Sequence, residues 1–113
     1  MDTQDTLTAL SALAHENRLA IFRRLVVAGD AGMTPGGLGA ALGLAPATLS
    51  FHLKELMHAG LLRKRQQGRF IHYQANFTAI DGLIAYLTEN CCQGGSCDIT
   101  AGAHPAIPPG DTL

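Results

Sequence analysis

The stretch from Thr34 to Gln74 leaves this chain little choice of fold. It contains two helix starts marked by proline, Thr34-Pro35 and Ala45-Pro46, with one short apolar segment between them. Thr34 is a natural N-cap. Proline at the first helical position lacks only an N–H that would have no partner there. The first start predicts a short helix carrying Leu38, Ala41 and Leu42 and closed by Gly43. The second predicts a helix from Pro46 to about Ala59, with Leu49, Leu53 and Leu56 near one face and Gly60 as the stop. Leu62–Gln66 and Arg69–Gln74 then read as two strands, with Gln67-Gly68 as the tight turn of a β-hairpin. Two short helices joined by a Gly-containing turn and followed by a hairpin predict a winged helix-turn-helix.

The flanking segments complete a mainly α domain with one small β-hairpin. Leu7, Leu10 and Leu13 recur every three residues and predict a helix over Thr6–Ala14. Leu19, Ile21, Phe22, Leu25 and Val26 cover overlapping faces of a helix over Glu16–Ala28, which is expected to be central and buried. A last helix is expected over Phe77–Asn90, with Ile80, Leu83, Ile84 and Leu87 as its apolar stripe. The apolar residues on the first and last helices exceed what one small core needs, so a homodimer through these helices is expected. With 113 residues, 47% of them hydrophobic, the chain can build one real core but not a two-domain enzyme with a cleft. Residues 1–92 are expected to form the winged-helix and dimerisation domain. Residues 93–113, rich in Gly and Pro and without periodicity, are expected to be a flexible tail.

The charge is uneven. Lys54, Arg63, Lys64, Arg65 and Arg69 face only Glu55 within one segment, although the whole chain has a formal net charge of −1. Cations concentrated on a helix-turn-helix and its wing match a phosphate backbone. The second helix of such a motif enters the major groove, and its N-terminal residues meet base edges. Ala47, Thr48, Ser50 and Phe51 are expected to do so, with Lys54 further along toward a phosphate. Strand alternation sends Arg63 and Arg65 to one face of the wing and Lys64 to the other. Arg69, beside the turn glycine, is the first choice for a phosphate or minor-groove contact.

The chain has three cysteines, Cys91, Cys92 and Cys97, all within one short segment after the last predicted helix. Three such thiols form a sulfur-only trap selective for soft ions. Gly94 and Gly95 give the backbone freedom to bring Cys97 back to the adjacent pair. Structural zinc prefers four tetrahedral ligands, so here it would need His15, His104 or another chain. His52 reads as a packing or hydrogen-bonding residue, and His72, near the hairpin end, as structural or phosphate-directed. The opening MDTQDT is not a basic start followed by an apolar run, and no apolar stretch reaches the ~18 residues of a membrane span. A cytoplasmic protein is therefore expected, in a reducing compartment where clustered cysteines are free thiols or metal ligands more often than structural disulfides.

The runs ALAHENRLAIFRRLVVAG and LGAALGLAPATLSFHLKELMHAGLLRKRQQGRFIHYQAN resemble the ArsR-type (arsenic-repressor) winged-helix regulators. The resemblance spans about Leu7 to Asn90. It implies a homodimer on the first and last helices that represses by binding operator DNA and lets go when an inducer binds. One common thiol site of the family, a Cys-x-Cys on the first helix of the helix-turn-helix, corresponds here to Gly37–Ala41, which has no cysteine. The Asp/His site of other members would lie on the last helix, where this chain has Asp81 and Glu89 but no histidine. Cys91, Cys92 and Cys97 resemble the arrangement of arsenite-responsive members, whose thiols follow the last helix.

The resemblance thus implies trivalent arsenic, or the chemically similar antimony, as inducer rather than as a permanent cofactor. Methylarsenite needs two thiols, cadmium or lead could use three, and thiol oxidation could switch the same residues. An enzyme such as an arsenate reductase would need an anion-binding Arg soon after its nucleophilic Cys. No Arg or Lys follows Arg69, so no enzyme is expected.

Overall fold

The computed structural model describes residues 1–94. It contains five α-helices and a two-stranded antiparallel hairpin, as the sequence predicts: α1 Thr3–Leu13, α2 Glu16–Ala28, α3 Pro35–Leu42, α4 Pro46–His58, β1 Leu62–Gln67, β2 Phe70–Ala75 and α5 Phe77–Leu87. The expected tail of residues 93–113 lies outside the described residues beyond Gly94, and so does Cys97. Among the described residues, no helix is long and apolar enough to cross a membrane.

The core forms where α2, α3 and α4 meet α1 and the base of the hairpin. Ile21, Leu25, Leu38, Leu56 and Leu61 are its largest fully buried side chains. α3 starts as expected, with Thr34 Oγ1 accepting from Gly37 N at 3.1 Å and Pro35 in its first turn. α4 stops in a hydrogen-bonded cap. Gly60 N donates to Met57 O at 3.0 Å and Leu61 N to Leu56 O at 3.1 Å, with Gly60 at φ 76°. This pairing satisfies the last carbonyls of the helix and brings Leu56 and Leu61 together in the core.

Three boundaries differ from the sequence reading. α1 begins at Thr3 rather than Thr6, because Asp2 and Asp5 form a capping box: Asp5 N donates to Asp2 Oδ1 at 2.7 Å and Asp2 N to Asp5 Oδ2 at 3.3 Å. α5 ends at Leu87 rather than Asn90. Thr88 Oγ1 donates to Ile84 O at 2.8 Å, and Asn90 lies in the left-handed region at φ 56°. The wing turn is Gly68-Arg69, one residue later than expected, because Gln67 pairs with Phe70. Gly68 takes the positive φ that the first position of a two-residue hairpin loop requires.

The wing is anchored at its base. Met33 and Tyr73 exchange both backbone hydrogen bonds, at 3.0 and 2.8 Å, and Gln74 Nε2 donates to Asp30 O at 2.6 Å. Gly32 makes this possible. Its φ is 65°, and a Cβ there would lie 2.4 Å from Tyr73 O. The segment before the helix-turn-helix therefore fixes the wing relative to α3 and α4.

Candidate nucleic-acid interface and thiol segment

α4 separates its residues cleanly by face. Leu49, Leu53 and Leu56 point into the core, and His52 is buried beside them. Ala47, Thr48, Ser50, Phe51 and Lys54 are all exposed, so the structure brings together on one helix the five residues expected to meet DNA. Phe51 is 55% exposed, an unusual position for a phenyl ring unless something covers it.

The wing cations are exposed as well. Arg63 and Arg65 occupy alternate positions opposite Gln74 and His72, while Lys64 pairs with Tyr73 on the other face. Arg63 Nη2 donates to Thr78 Oγ1 at 3.4 Å, which draws it toward the start of α5. Arg65 Nη2 donates to Gln67 Oε1 at 3.5 Å. Arg69 sits within the turn itself, at the tip of the wing.

A cluster that spans two helices supports α4 from behind, and sequence reasoning did not find it. Arg18 of α2 donates from Nε to His52 Nδ1 at 3.3 Å. Its guanidinium carbon also stands 5.9 Å from the centre of the Phe51 ring. The His15 ring lies 4.7 Å from that of His52, and His52 meets Phe51 edge-on at 5.4 Å. His15 also caps α2, its Nδ1 accepting from Asn17 N at 3.2 Å. Burial holds His52 below the ordinary imidazole pKa; the nearby His15 and Arg18 push the same way, and Glu55 opposes them. The bond from Arg18 needs a lone pair on Nδ1, so His52 is neutral with its proton on Nε2. His52 is thus a packing and hydrogen-bonding residue, as expected.

The thiol segment follows α5 directly. Cys91 N donates to Thr88 O at 3.0 Å, and Cys91 is half-buried. Cys92 is exposed and disulfide-bonded, so its sulfur must be reduced before it can serve as a ligand. Cys92 and Gln93 both adopt left-handed backbone, at φ 53° and 57°. Among the described residues, no group of three or more His, Cys, Asp or Glu is placed to hold a metal ion. The third expected thiol, Cys97, lies outside those residues. The opposite end of α1 reaches this region, where Thr3 Oγ1 hydrogen-bonds to the Tyr86 hydroxyl.

Comparison with known proteins agrees with this architecture. Residues 13–65 match a family model described as a helix-turn-helix domain. An uncharacterized HTH-type transcriptional regulator of Bacillus subtilis, YceK, is 37% identical over 68 residues, covering 60% of this chain and 67% of its own. Among solved structures, an ArsR-like transcriptional regulator from Rhodococcus sp. RHA1 superposes with a TM-score of 0.67 at 25% identity, over 74% of this chain and 76% of that one. Reduced HlyU from Vibrio cholerae does so with a TM-score of 0.62 at 30% identity, over 80% and 93%.

Proposed function

This chain belongs to the ArsR-like winged helix-turn-helix transcriptional regulators, and from that membership we propose that it is a homodimeric repressor released from operator DNA by trivalent arsenic on Cys91, Cys92 and Cys97. Its action is DNA binding, not catalysis. Ala47, Thr48, Ser50 and Phe51 read bases, while Lys54, Arg63, Lys64, Arg65 and Arg69 hold phosphates. The observation that carries the inducer assignment is the clustering of the three cysteines of the chain, beginning four residues after the end of α5.

The chemistry suits that cluster. Arsenite is As(OH)3. Once a thiol reductant has opened the Cys92 disulfide, three thiols replace its three hydroxyls, forming three As–S bonds and releasing three waters, with no change in the oxidation state of arsenic. The arsenic lone pair fills the fourth direction of a pyramidal centre. Antimonite reacts in the same way. α5 is a dimer helix in this reading, so an ion drawn onto its end changes how the two recognition helices are spaced. Release follows only if the inducer binds the DNA-free shape more tightly than the bound one.

A second reading has a specific observation in its favour. Cys92 is disulfide-bonded, and a redox switch would use that bond to change DNA affinity without any metal. The similar HlyU is known in a reduced form, which fits the same idea.

One titration separates the two. Release from operator duplex is measured with arsenite, methylarsenite, antimonite, cadmium, zinc and peroxide, on wild type, on the Cys91→Ser, Cys92→Ser and Cys97→Ser proteins, and on the triple variant that combines them. The arsenite reading expects all three variants to bind DNA and to respond poorly to arsenite. Arsenite release of the triple variant at wild-type concentrations would sink it. Release by peroxide alone, reversed by a dithiol, would establish the redox reading. A full methylarsenite response confined to Cys97→Ser would point to a two-thiol organic inducer.

A further inference from the structure

We infer that Arg18, outside both the helix-turn-helix and the wing, is a positioning residue for sequence recognition, because its guanidinium holds the Phe51 ring against the DNA-facing side of α4. The inference rests on the reading that Phe51 faces bases. Phe51 is 55% exposed, and on its exposed side no packed core selects its rotamer. A ring in that setting discriminates between bases only if something fixes its direction before DNA arrives.

Arg18 can supply that constraint because two of its own degrees of freedom are removed. Its backbone belongs to α2, whose Ile21 and Leu25 are fully buried. Its Nε is committed to Nδ1 of His52, a side chain only 5% exposed. The plane of the guanidinium is therefore set by a buried acceptor on the residue next to Phe51. Its carbon then lies 5.9 Å from the Phe51 centroid, where a cation is attracted to the face of the ring. The His15 ring also packs 4.7 Å from that of His52, which helps to hold the acceptor in place. A lysine could place a charge near the ring. It has no planar fork with which to donate to His52 and cover Phe51 at once.

The test uses a duplex selected by the wild-type protein from a random library, and an unrelated duplex of the same length. Affinities for both are measured across a salt series for wild type, Arg18→Lys, Phe51→Leu and the double variant, with thermal melts to confirm folding. Arg18→Lys is expected to lower the ratio of selected to unrelated affinity by roughly two- to fivefold. Its affinity for the unrelated duplex and its salt slope should stay at wild-type values, because the charge is kept. Phe51→Leu should lower the ratio by at least as much, and adding Arg18→Lys to it should cost nothing further.

Independent, multiplying losses in the double variant would overturn the inference. So would a fall on both duplexes with a reduced salt slope, which would make Arg18 a phosphate contact. A wild-type ratio in Arg18→Lys, with Phe51→Leu impaired, would overturn it while leaving the DNA-facing reading of Phe51 intact. A wild-type ratio in Phe51→Leu would instead remove that underlying reading.

Discussion

The central pair of helices and the edge pair dispose of their apolar residues in opposite ways. In α2 and α4, Ile21, Phe22, Leu25, Leu49, Leu53 and Leu56 are buried against one another within a single chain. In α1 the buried positions are the small ones, Thr6, Ala9 and Ala12, while Leu7 and Leu10 remain 52% and 40% exposed. In α5 no residue is buried, and Leu87 is 59% exposed. The core-facing residues of the DNA-reading half are therefore covered by their own chain, while Leu19, Val26 and Val27 of α2 and Phe51 of α4 stay exposed on its outer side. The edge half presents leucines whose burial needs another surface, and a second copy of the chain supplies one in the proposed dimer. Stability of the centre and assembly at the edge should then respond to different substitutions.

The largest effect is expected at the centre. Leu56 is fully buried and packs in the core with Leu61 at the cap of α4. Leu56→Ala should destabilise the domain by about 2–5 kcal/mol, through lost transfer energy and the cavity left behind. Denaturant melts should show this loss undiminished as protein concentration rises. If higher concentration restores full stability, centre and edge are not separable in the way the burial pattern implies.

Substitution at the edge should change assembly instead. Leu10→Lys combined with Leu87→Lys removes no side chain from the core. Sedimentation should show wild type as a dimer at micromolar concentration and the double variant as a folded monomer. The wild-type dimer should prefer inverted repeats with half-sites about one DNA turn, ~34 Å, apart, and the monomer should lose that preference. A double variant that stays dimeric would place the interface elsewhere.

How much of this was legible depends on the range of the signal. Pro35, Pro46 and Gly60 act within a few residues of themselves, and the helices they bound fell where the sequence put them. The exposed face of α4 followed from the spacing of Leu49, Leu53 and Leu56. The α1 start was missed because its signal is polar: Asp2 and Asp5 cap each other ahead of the first leucine. The leucine period of α1 marked the helix and its outward surplus surface, with Leu7 and Leu10 exposed as expected, but it did not reveal which stripe turns inward. A close approach to the domain selects small residues, so Thr6, Ala9 and Ala12 turn inward. The wing turn slipped by one because a glycine can serve either position of a two-residue loop, and only pairing across the strands decides. The Arg18 cluster had no local signal. Arg18 and His52 are 34 residues apart, and only the packing of α2 on α4 joins them.

A smaller effect should come from the tip of the wing, whose turn residues lie outside the core. Arg69 lies in the hairpin turn, exposed, so its loss costs the fold nothing. Arg69→Ala should weaken binding to all duplexes alike and lower the magnitude of the salt slope by about one, because one fewer phosphate is neutralised. An unchanged slope would remove Arg69 from the interface and leave the remaining wing cations to account for it.

The smallest effect concerns the buried imidazole within the central pair. His52 faces His15 and Arg18 of α2 and Glu55 of its own helix, and its pKa in the folded state lies below the ordinary value of about 6.5 because burial disfavours the charged form. The unfolded chain therefore takes up a proton on this group at a higher pH than the folded chain does. The stability that neutral His52 contributes is fully present above that ordinary value. It declines as pH falls from there through the depressed folded pKa, and then levels off. Protonation would also occupy the Nδ1 lone pair that accepts from Arg18. His52→Gln keeps an acceptor for Arg18 but does not titrate. Its melting temperature should fall less than that of wild type as pH is lowered below 6.5, once compared at the same ionic strength. Parallel pH profiles for the two proteins would show that His52 does not sense pH in the folded domain, and that the acid sensitivity of the centre resides in other groups.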